Sequence, residues 1–381
     1  MVTPIFHQTI IFLDWTTKYS LSVLNEGITM ADLPVHTIVF EILTRVPAKD
    51  VGRSKSVCKQ WYALLSTQDF VRIHCSRSLV SSNQRVLLID DLTCSVHPII
   101  FQSNDYGPSS ILTFPFHHQN NDVSILSHLN GLLCVCLNHT YELLLWNPTT
   151  TAFKHLSTPD SHGFYINNLD AVGLYVDADD DYKVLHIKRR IGVLGIYVYS
   201  REVDSWRNIP FITRQEYLSP HFNWSAGTFC GGTLYFIVYE CWIGGTNVVI
   251  CFDVNLEQFK EISFPPVPST GMVQGVLVNV KNELHMFAST GMFEMTIDLW
   301  TLQGDYWIKV LSCPPIPPIS LSLWCDITHY VTNGNWFVMT KLGKLFTIEM
   351  DMKPLECFCP VTWFRGFKGA VFVETIVSPS I

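Results

Sequence analysis

The sequence predicts a small all-α module followed by a long, mainly-β domain built as a β-propeller, with a pair of β-sandwiches as the alternative. Three observations carry this. Apolar residues recur every four positions at Ile38, Ile42 and Val46, between Pro34 and Pro47. Beyond residue 80 the chain turns into short, aromatic-rich segments of high β-propensity separated by turns. In that region a pattern returns with a period near fifty residues, the signature of a repeat architecture.

The totals set the limits. A chain of 381 residues with 48% hydrophobic and 15% charged residues has ample material for a buried core and is not a disordered composition. Net charge is −8. Residues 31–75 hold six Lys/Arg against four Asp/Glu, so the rest carries −8 − 2 = −10. An acidic bulk argues against a phosphate-binding surface, and no nucleic-acid partner is expected. No stretch approaches the roughly 18 apolar residues of a membrane span, so no membrane partner is expected either. The 12 cysteines are scattered. Two C-x-C pairs, Cys134/Cys136 and Cys357/Cys359, place both thiols on one face of a strand, which suits packing more than a four-ligand metal site. Reduced cysteines fit a cytoplasmic or nuclear location. Asp14 interrupts the apolar start of the chain, which lacks a basic leader.

In the helical module, residues 32–75, Pro34 suits a first helical turn, and Val39 and Leu43 widen the stripe of Ile38, Ile42 and Val46. Pro47 ends that helix. A second helix is expected from Ala48 to about Lys59, with Val51, Val57 and Cys58 inward. A third begins near Trp61 with Leu64 and Leu65, and Phe70 and Ile73 follow. Some forty residues in three short helices carry more apolar side chains than so small a unit can shield. Either the chain's own C-terminal domain or a partner's groove must cover the excess.

The order Leu33-Pro34, Ile42-Leu43, Arg45-Val46-Pro47, Val57-Cys58-Lys59, Trp61 and Phe70-Val71-Arg72-Ile73-His74 closely resembles the F-box family. The resemblance assigns residues 30–78 to an F-box and leaves 1–29 as an extension, read as an upstream start or a poorly ordered arm. It implies docking to the adaptor subunit of SCF-type cullin–RING ubiquitin ligases, and through it to the cullin. The contacts it implies are Leu33, Pro34, Ile38, Ile42, Leu43, Val46 and Pro47, with Val51, Val57, Cys58 and Trp61 helping. Gly52 and Ser54 depart from the pattern of plant members, which usually carry larger apolar residues there. A mid-helix glycine costs about 1 kcal/mol relative to alanine.

In the long domain, residues 79–381, three segments align without gaps on the anchors Trp146, Tyr199 and Phe252. The spacings are 199 − 146 = 53 and 252 − 199 = 53. An aromatic residue stands seven positions after each anchor (Phe153, Trp206, Phe259) and an aliphatic one ten positions after (Leu156, Ile209, Ile262). A weaker copy at Ile297, with Trp307 and Val310, fits after an insertion of three residues. Four short strands per unit at this period describe a kelch-like propeller blade, and five or six blades fit. The repeat positions read as core between sheets. The terminal segment from Val361 to Val377 is a candidate closing strand, needed because a radial array must pair its first and last units.

This region resembles the F-box-associated domain of plant F-box proteins through the phrases Asn130-Gly131-Leu132-Leu133-Cys134, Trp146-Asn147-Pro148-Thr149-Thr150 and Asp180-Asp181-Tyr182-Lys183-Val184. The resemblance implies a domain that recruits a target protein and does not identify the target.

Catalytic and metal patterns are missing. Asp177, Asp179 and Asp181 alternate like a calcium loop, but Tyr182 stands where glycine is required and Lys188 where the bidentate Glu belongs. They read as a solvated turn. No nucleophile elbow, zinc helix or phosphate loop is present. Cys58 lies beside Lys59, yet its place on an apolar face favours packing over reactivity. No cofactor and no catalysis are expected. The expected function is a non-catalytic substrate receptor of an SCF ligase. The competing class is a small-ligand or carbohydrate-binding propeller with a vestigial F-box. For either, the stretches 158–168 and 239–247 are candidates for a binding rim, with His162, Phe164, Tyr165, Glu240 and Trp242.

Overall fold

The computed structural model describes residues 38–80, 84–90, 96–99, 115, 123–137, 140, 142–157, 170–190, 193–210, 217, 219, 221–240, 247–267, 273–290, 296–312, 327–332, 335–340, 345–348, 356–358 and 367–380. These fall into two compact units.

The first unit is helical. It opens with a π-turn over Ile38–Ile42 and a 3₁₀ turn over Leu43–Arg45, then α1 (Ala48–Ser54), α2 (Lys59–Leu65) and α3 (Gln68–Val80). The regular helix expected up to Val46 is therefore irregular. Thr44 Oγ1 donates to the Phe40 carbonyl at 2.7 Å and Arg45 Nε to the Glu41 carbonyl at 3.0 Å, so side chains satisfy acceptors that a regular helix would leave to backbone amides. The second helix stops at Ser54, short of the expected Lys59. Ser54 Oγ donates back to the Asp50 carbonyl at 2.9 Å, and Cys58 then starts a new helix as its N-cap. Leu65, Val39, Val51 and Phe70 form the fully buried centre of the unit.

The second unit is β. Among the described residues its strands form six antiparallel sheets. The first pairs β1 (Gln84–Asp90) with β2 (Val96–Ile99) on one side and the last strand of the chain, β24 (Phe367–Val373), on the other. The second holds β3 (Val123–Leu129), β4 (Leu132–Leu137), β5 (Glu142–Trp146) and β6 (Phe153–His155). The third holds β7 (Ala171–Val176), β8 (Tyr182–Arg190), β9 (Val193–Ser200) and β10 (Ser205–Ile209). In the fourth, β11 (Phe222–Trp224) and β12 (Thr228–Cys230) share one side of β13 (Thr233–Glu240), followed by β14 (Val248–Asp253) and β15 (Gln258–Ser263). The fifth holds β16 (Val273–Val280), β17 (Glu283–Thr290), β18 (Thr296–Gln303) and β19 (Tyr306–Ser312). The sixth holds β20 (Ile327–Thr332), β21 (Asn335–Thr340), β22 (Leu345–Ile348) and β23 (Glu356–Phe358).

Neighbouring sheets meet through one strand each. Going round, β24 lies beside β3, β3 beside β7, β7 beside β12, β12 beside β16, β16 beside β20, and β20 again beside β24. The array closes on itself, which is a β-propeller and excludes the pair of sandwiches. The closing strand comes from the C-terminal end, pairing over its whole length with β1, from Gln84 opposite Val373 to Asp90 opposite Phe367. Closure removes the two free inner edges that an open array would expose.

The repeat seen in the sequence is a cross-strand pair. Trp146 stands opposite Phe153, Tyr199 opposite Trp206 and Phe252 opposite Phe259. The three anchors are buried, as are Leu156, Ile209 and Ile262, and Trp146, Phe252, Ile209 and Ile262 belong to core clusters shared by adjacent sheets. In the fifth sheet Trp307 faces Leu302, and the hairpin turn is only Gly304-Asp305. The fourth copy is therefore shorter at its turn, and its anchor is Leu302 instead of Ile297.

Small residues let the inner strands crowd together. Gly227 N donates to the Val172 carbonyl at 2.9 Å, while Ser127 Oγ donates to the Gly227 carbonyl at 3.1 Å and accepts from Leu174 N at 2.9 Å. Three consecutive sheets are thus pinned at one point. A Cβ on Gly227 would sit 2.7 Å from Gly173 Cα and 2.8 Å from the Phe236 ring.

Candidate functional site

The helical unit is the candidate docking site, and its apolar residues divide into two sets. Ile38, Leu43, Val46 and Val51 are buried with Ala48, Leu65 and Phe70 in the unit's own core. Ile42, Pro47, Val57 and Trp61 are partly exposed, and Cys58 is exposed. Leu33 and Pro34 lie outside the described residues. Of the sequence-derived contacts, the first set shapes the module from within, Ile42, Pro47, Val57 and Cys58 lie outside that core cluster, and Trp61 packs against it while keeping part of its surface exposed. Cys58 is not packed against an apolar face as the sequence reading held. Its Sγ accepts from Trp61 N at 3.5 Å as the N-cap of α2. The sequence reading passed over Tyr62, which follows Trp61 and is 61% exposed. Its exposure is a property of the fold, and no spacing or motif in the sequence marks it.

Polar groups hold the module's shape. His74 is fully buried on α3, and its Nε2 donates to the Val46 carbonyl at 2.8 Å, tying α3 to the residue that ends the 3₁₀ turn. Burial pushes the His74 pKa down; the Val46 bond opposes this and the charge of Lys55 adds to it. Arg77 donates to the Phe40 carbonyl at 3.2 Å and also to Thr44 Oγ1. Gly52 is exposed in the middle of α1, and a Cβ there would meet nothing within 4 Å.

In the β unit, the acidic stretch is a turn between β7 and β8. Asp177 Oδ1 accepts from the amides of Asp179 and Asp181 at 3.0 Å each, and Oδ2 pairs with Lys183. Burial alone would raise the Asp177 carboxyl, but the Lys183 bond and the turn amides outweigh it and hold its pKa low. Asp181 is buried, accepting from Ser200 Oγ at 2.6 Å and Glu202 N at 3.0 Å, so this part of the turn is not solvated. The phrase Trp146-Asn147-Pro148-Thr149-Thr150 likewise encodes a turn. Buried Asn147 accepts on Oδ1 from Thr149 N at 2.8 Å and Thr150 N at 3.3 Å. Asn130 and Gly131, at φ 51° and 82°, make the two-residue hairpin turn between β3 and β4.

Of the rim candidates, Glu240 ends β13 opposite Phe222 and is partly buried. His162, Phe164, Tyr165 and Trp242 lie outside the described residues. Strand alternation places the end of β13 at the same end of the ring as the end of β6 and the start of β7. Beside Glu240 the structure gathers aromatic residues that the sequence reading did not single out. Tyr217 packs edge-to-face on Phe222 at 5.3 Å, and Trp224 Nε1 donates to the Tyr217 carbonyl at 2.8 Å.

Among the described residues no group of three His, Cys, Asp or Glu could hold a metal ion. Six described cysteines are free thiols, and burial pushes Cys75 and Cys251 up to about 12, which keeps them protonated. No described helix is long and apolar enough to cross a membrane.

A short helical unit followed in sequence by a closed ring of antiparallel sheets is the arrangement of an F-box protein with a propeller domain. Comparison with known families places an F-box domain at residues 30–73 and an F-box associated beta propeller domain at residues 89–354. The chain belongs to this F-box associated propeller family. Among curated relatives, Putative F-box protein At3g16210 of Arabidopsis thaliana is 30% identical, covering 60% of this chain and 59% of its own. Putative F-box only protein 15 of the same plant is 27% identical over 61% and 60%. F-box/kelch-repeat protein At3g17530 of that plant is 26% identical over 62% and 61%. The chain spans about 60% of the length of these relatives. A solved nidogen/laminin complex includes a chain that matches at a TM-score of 0.46 and 8% identity, covering 77% of this chain and 99% of that one.

Proposed function

We propose that this protein is the substrate-recognition subunit of an SCF-type cullin–RING ubiquitin ligase. The helical module docks on the adaptor subunit and so joins the cullin, and the propeller holds a target protein in reach of ubiquitin transfer, where proximity raises the effective concentration of the acceptor lysine. The protein itself performs no chemistry in this reading. The observation that carries it is the split of apolar residues in the helical unit. After its core is filled, Ile42, Pro47, Val57, Trp61 and Tyr62 still meet water. Burial of such side chains supplies the main driving force of association.

The residues proposed to touch the adaptor are those five with Cys58, and Leu33 and Pro34 by the family's pattern. Ile38, Leu43, Val46 and Val51 support them from below. For target capture, the proposed surface is the end of the ring that carries Glu240, with the stretches 158–168 and 239–247.

Affinity purification with mass spectrometry tests the reading, comparing the intact chain with Ile42→Asp. Ile42 is partly exposed and stands outside the buried core cluster, so the substitution acts on docking. Adaptor and cullin are expected to disappear from the variant while target proteins persist. Retention of the adaptor by the variant, or its absence from the intact chain, defeats the proposal.

A further inference from the structure

The helical module contains a piece of chain from the far end of the sequence. Thr375, Ile376 and Val377 belong to the same compact unit as residues 38–80. All three are buried, at 0%, 5% and 2% exposure. Ile376 is a member of the core cluster formed by Ile38, Val39, Leu43, Val46, Ala48, Val51, Leu65 and Phe70. A unit of three short helices has too little chain to cover its own apolar side chains, and here a β-branched side chain some 300 positions away supplies part of that cover.

The position of this segment in the chain gives the contact a consequence. It begins two residues after Val373, the last residue of β24. That strand closes the propeller on β1, and β1 begins four positions after the end of α3. The segment that follows the ring-closing strand therefore also completes the core of the helical module.

We propose that Ile376, flanked by Thr375 and Val377, is a positioning residue of the docking module, and that adaptor binding is thereby made conditional on a complete, closed receptor. This rests on the adaptor-docking reading given above. Ile376 acts from inside. It supports Leu43, Val46 and Val51, which in turn set the placement of Ile42, Pro47 and Trp61. A chain that ends early or fails to close its ring has an unfinished docking module and does not engage the ligase.

Calorimetric titration of the full-length protein with a purified SCF adaptor subunit tests this, using Ile376→Asp, Ile376→Val and a chain ending at Glu374. Near-ultraviolet circular dichroism reports the propeller separately. The expected result is at least a tenfold loss of adaptor affinity for Ile376→Asp and for the shortened chain. The conservative Ile376→Val stays within twofold of wild type, and the propeller signal is unchanged in all three. Unchanged affinity in Ile376→Asp overturns the proposal, and so does a loss as large in Ile376→Val. Collapse of the propeller signal together with binding also overturns it, because the segment would then serve the ring and not the module. Failure of the wild-type chain to bind defeats the docking reading first and this inference with it. Binding by wild type with no response to Ile376 defeats this inference alone.

Discussion

Burial holds the His74 pKa below its usual value against the opposing pull of the Val46 carbonyl, and this makes the module sensitive to acid. Its pKa is depressed in the fold, so its contribution is fully present above the unfolded value of about 6.5. That contribution is lost as pH falls from there through the folded pKa, because the unfolded state takes up the proton first. Amide protection factors across α3, which are corrected for the intrinsic pH dependence of exchange, are predicted to fall between pH 7.5 and 5.5, and to lose that fall in His74→Gln. Gly52 works in the opposite direction. It leaves open space in the middle of an exposed helix, so Gly52→Ala is predicted to stabilise the module by about 0.5–1 kcal/mol, seen as slower exchange in α1. Gly52 was legible as a departure from the family's pattern. His74 was legible only as a letter of that pattern, because its role depends on a partner 28 positions away.

Hairpins repeat more faithfully than strands. The outer turns place a residue at positive φ at Thr151, Asp204, Glu257 and Gly304. Just beyond the aromatic of each outer strand, Lys154 pairs with Asp204 at 3.1 Å, Arg207 with Glu257 at 2.8 Å and Lys260 with Asp305 at 2.6 Å. Each base reaches the turn of the following sheet, so the same spacing that pairs strands within a sheet also links neighbouring sheets. The seven-residue aromatic spacing was readable because a hairpin with a long turn repeats it in sequence. The fifth sheet matched only as a weaker copy, on the wrong anchor, because a two-residue turn shortens the same hairpin. The phrases that carry the family resemblance each include a turn residue, Asn130, Asn147 and Asp180. This is why they specify the scaffold and not its ligand. At the inner strands, Gly227→Ala is predicted to destabilise the propeller by about 1–3 kcal/mol, since its Cβ would press on the backbone of Gly173. Chemical denaturation with an unchanged m-value would report it.

The whole molecule depends on contacts between the ends of the chain. β24 closes the ring on β1, and Ile376 enters the helical core. A closing strand was foreseeable, because a radial array must be sealed. Ile376 was not, because one buried side chain has no period and no motif to betray it. The excess of apolar residues in so small a module was the sign that something had to cover it. The structure divides that excess between the chain's own C-terminal segment and a set still facing water. The central claim is that this second set docks on an SCF adaptor, and calorimetric titration of the full-length chain with that adaptor tests it most directly. One-to-one saturable binding is predicted, weakened at least tenfold by Ile42→Asp while circular dichroism stays unchanged. No heat from the wild-type chain, with normal binding by an authentic F-box control, would contradict the account.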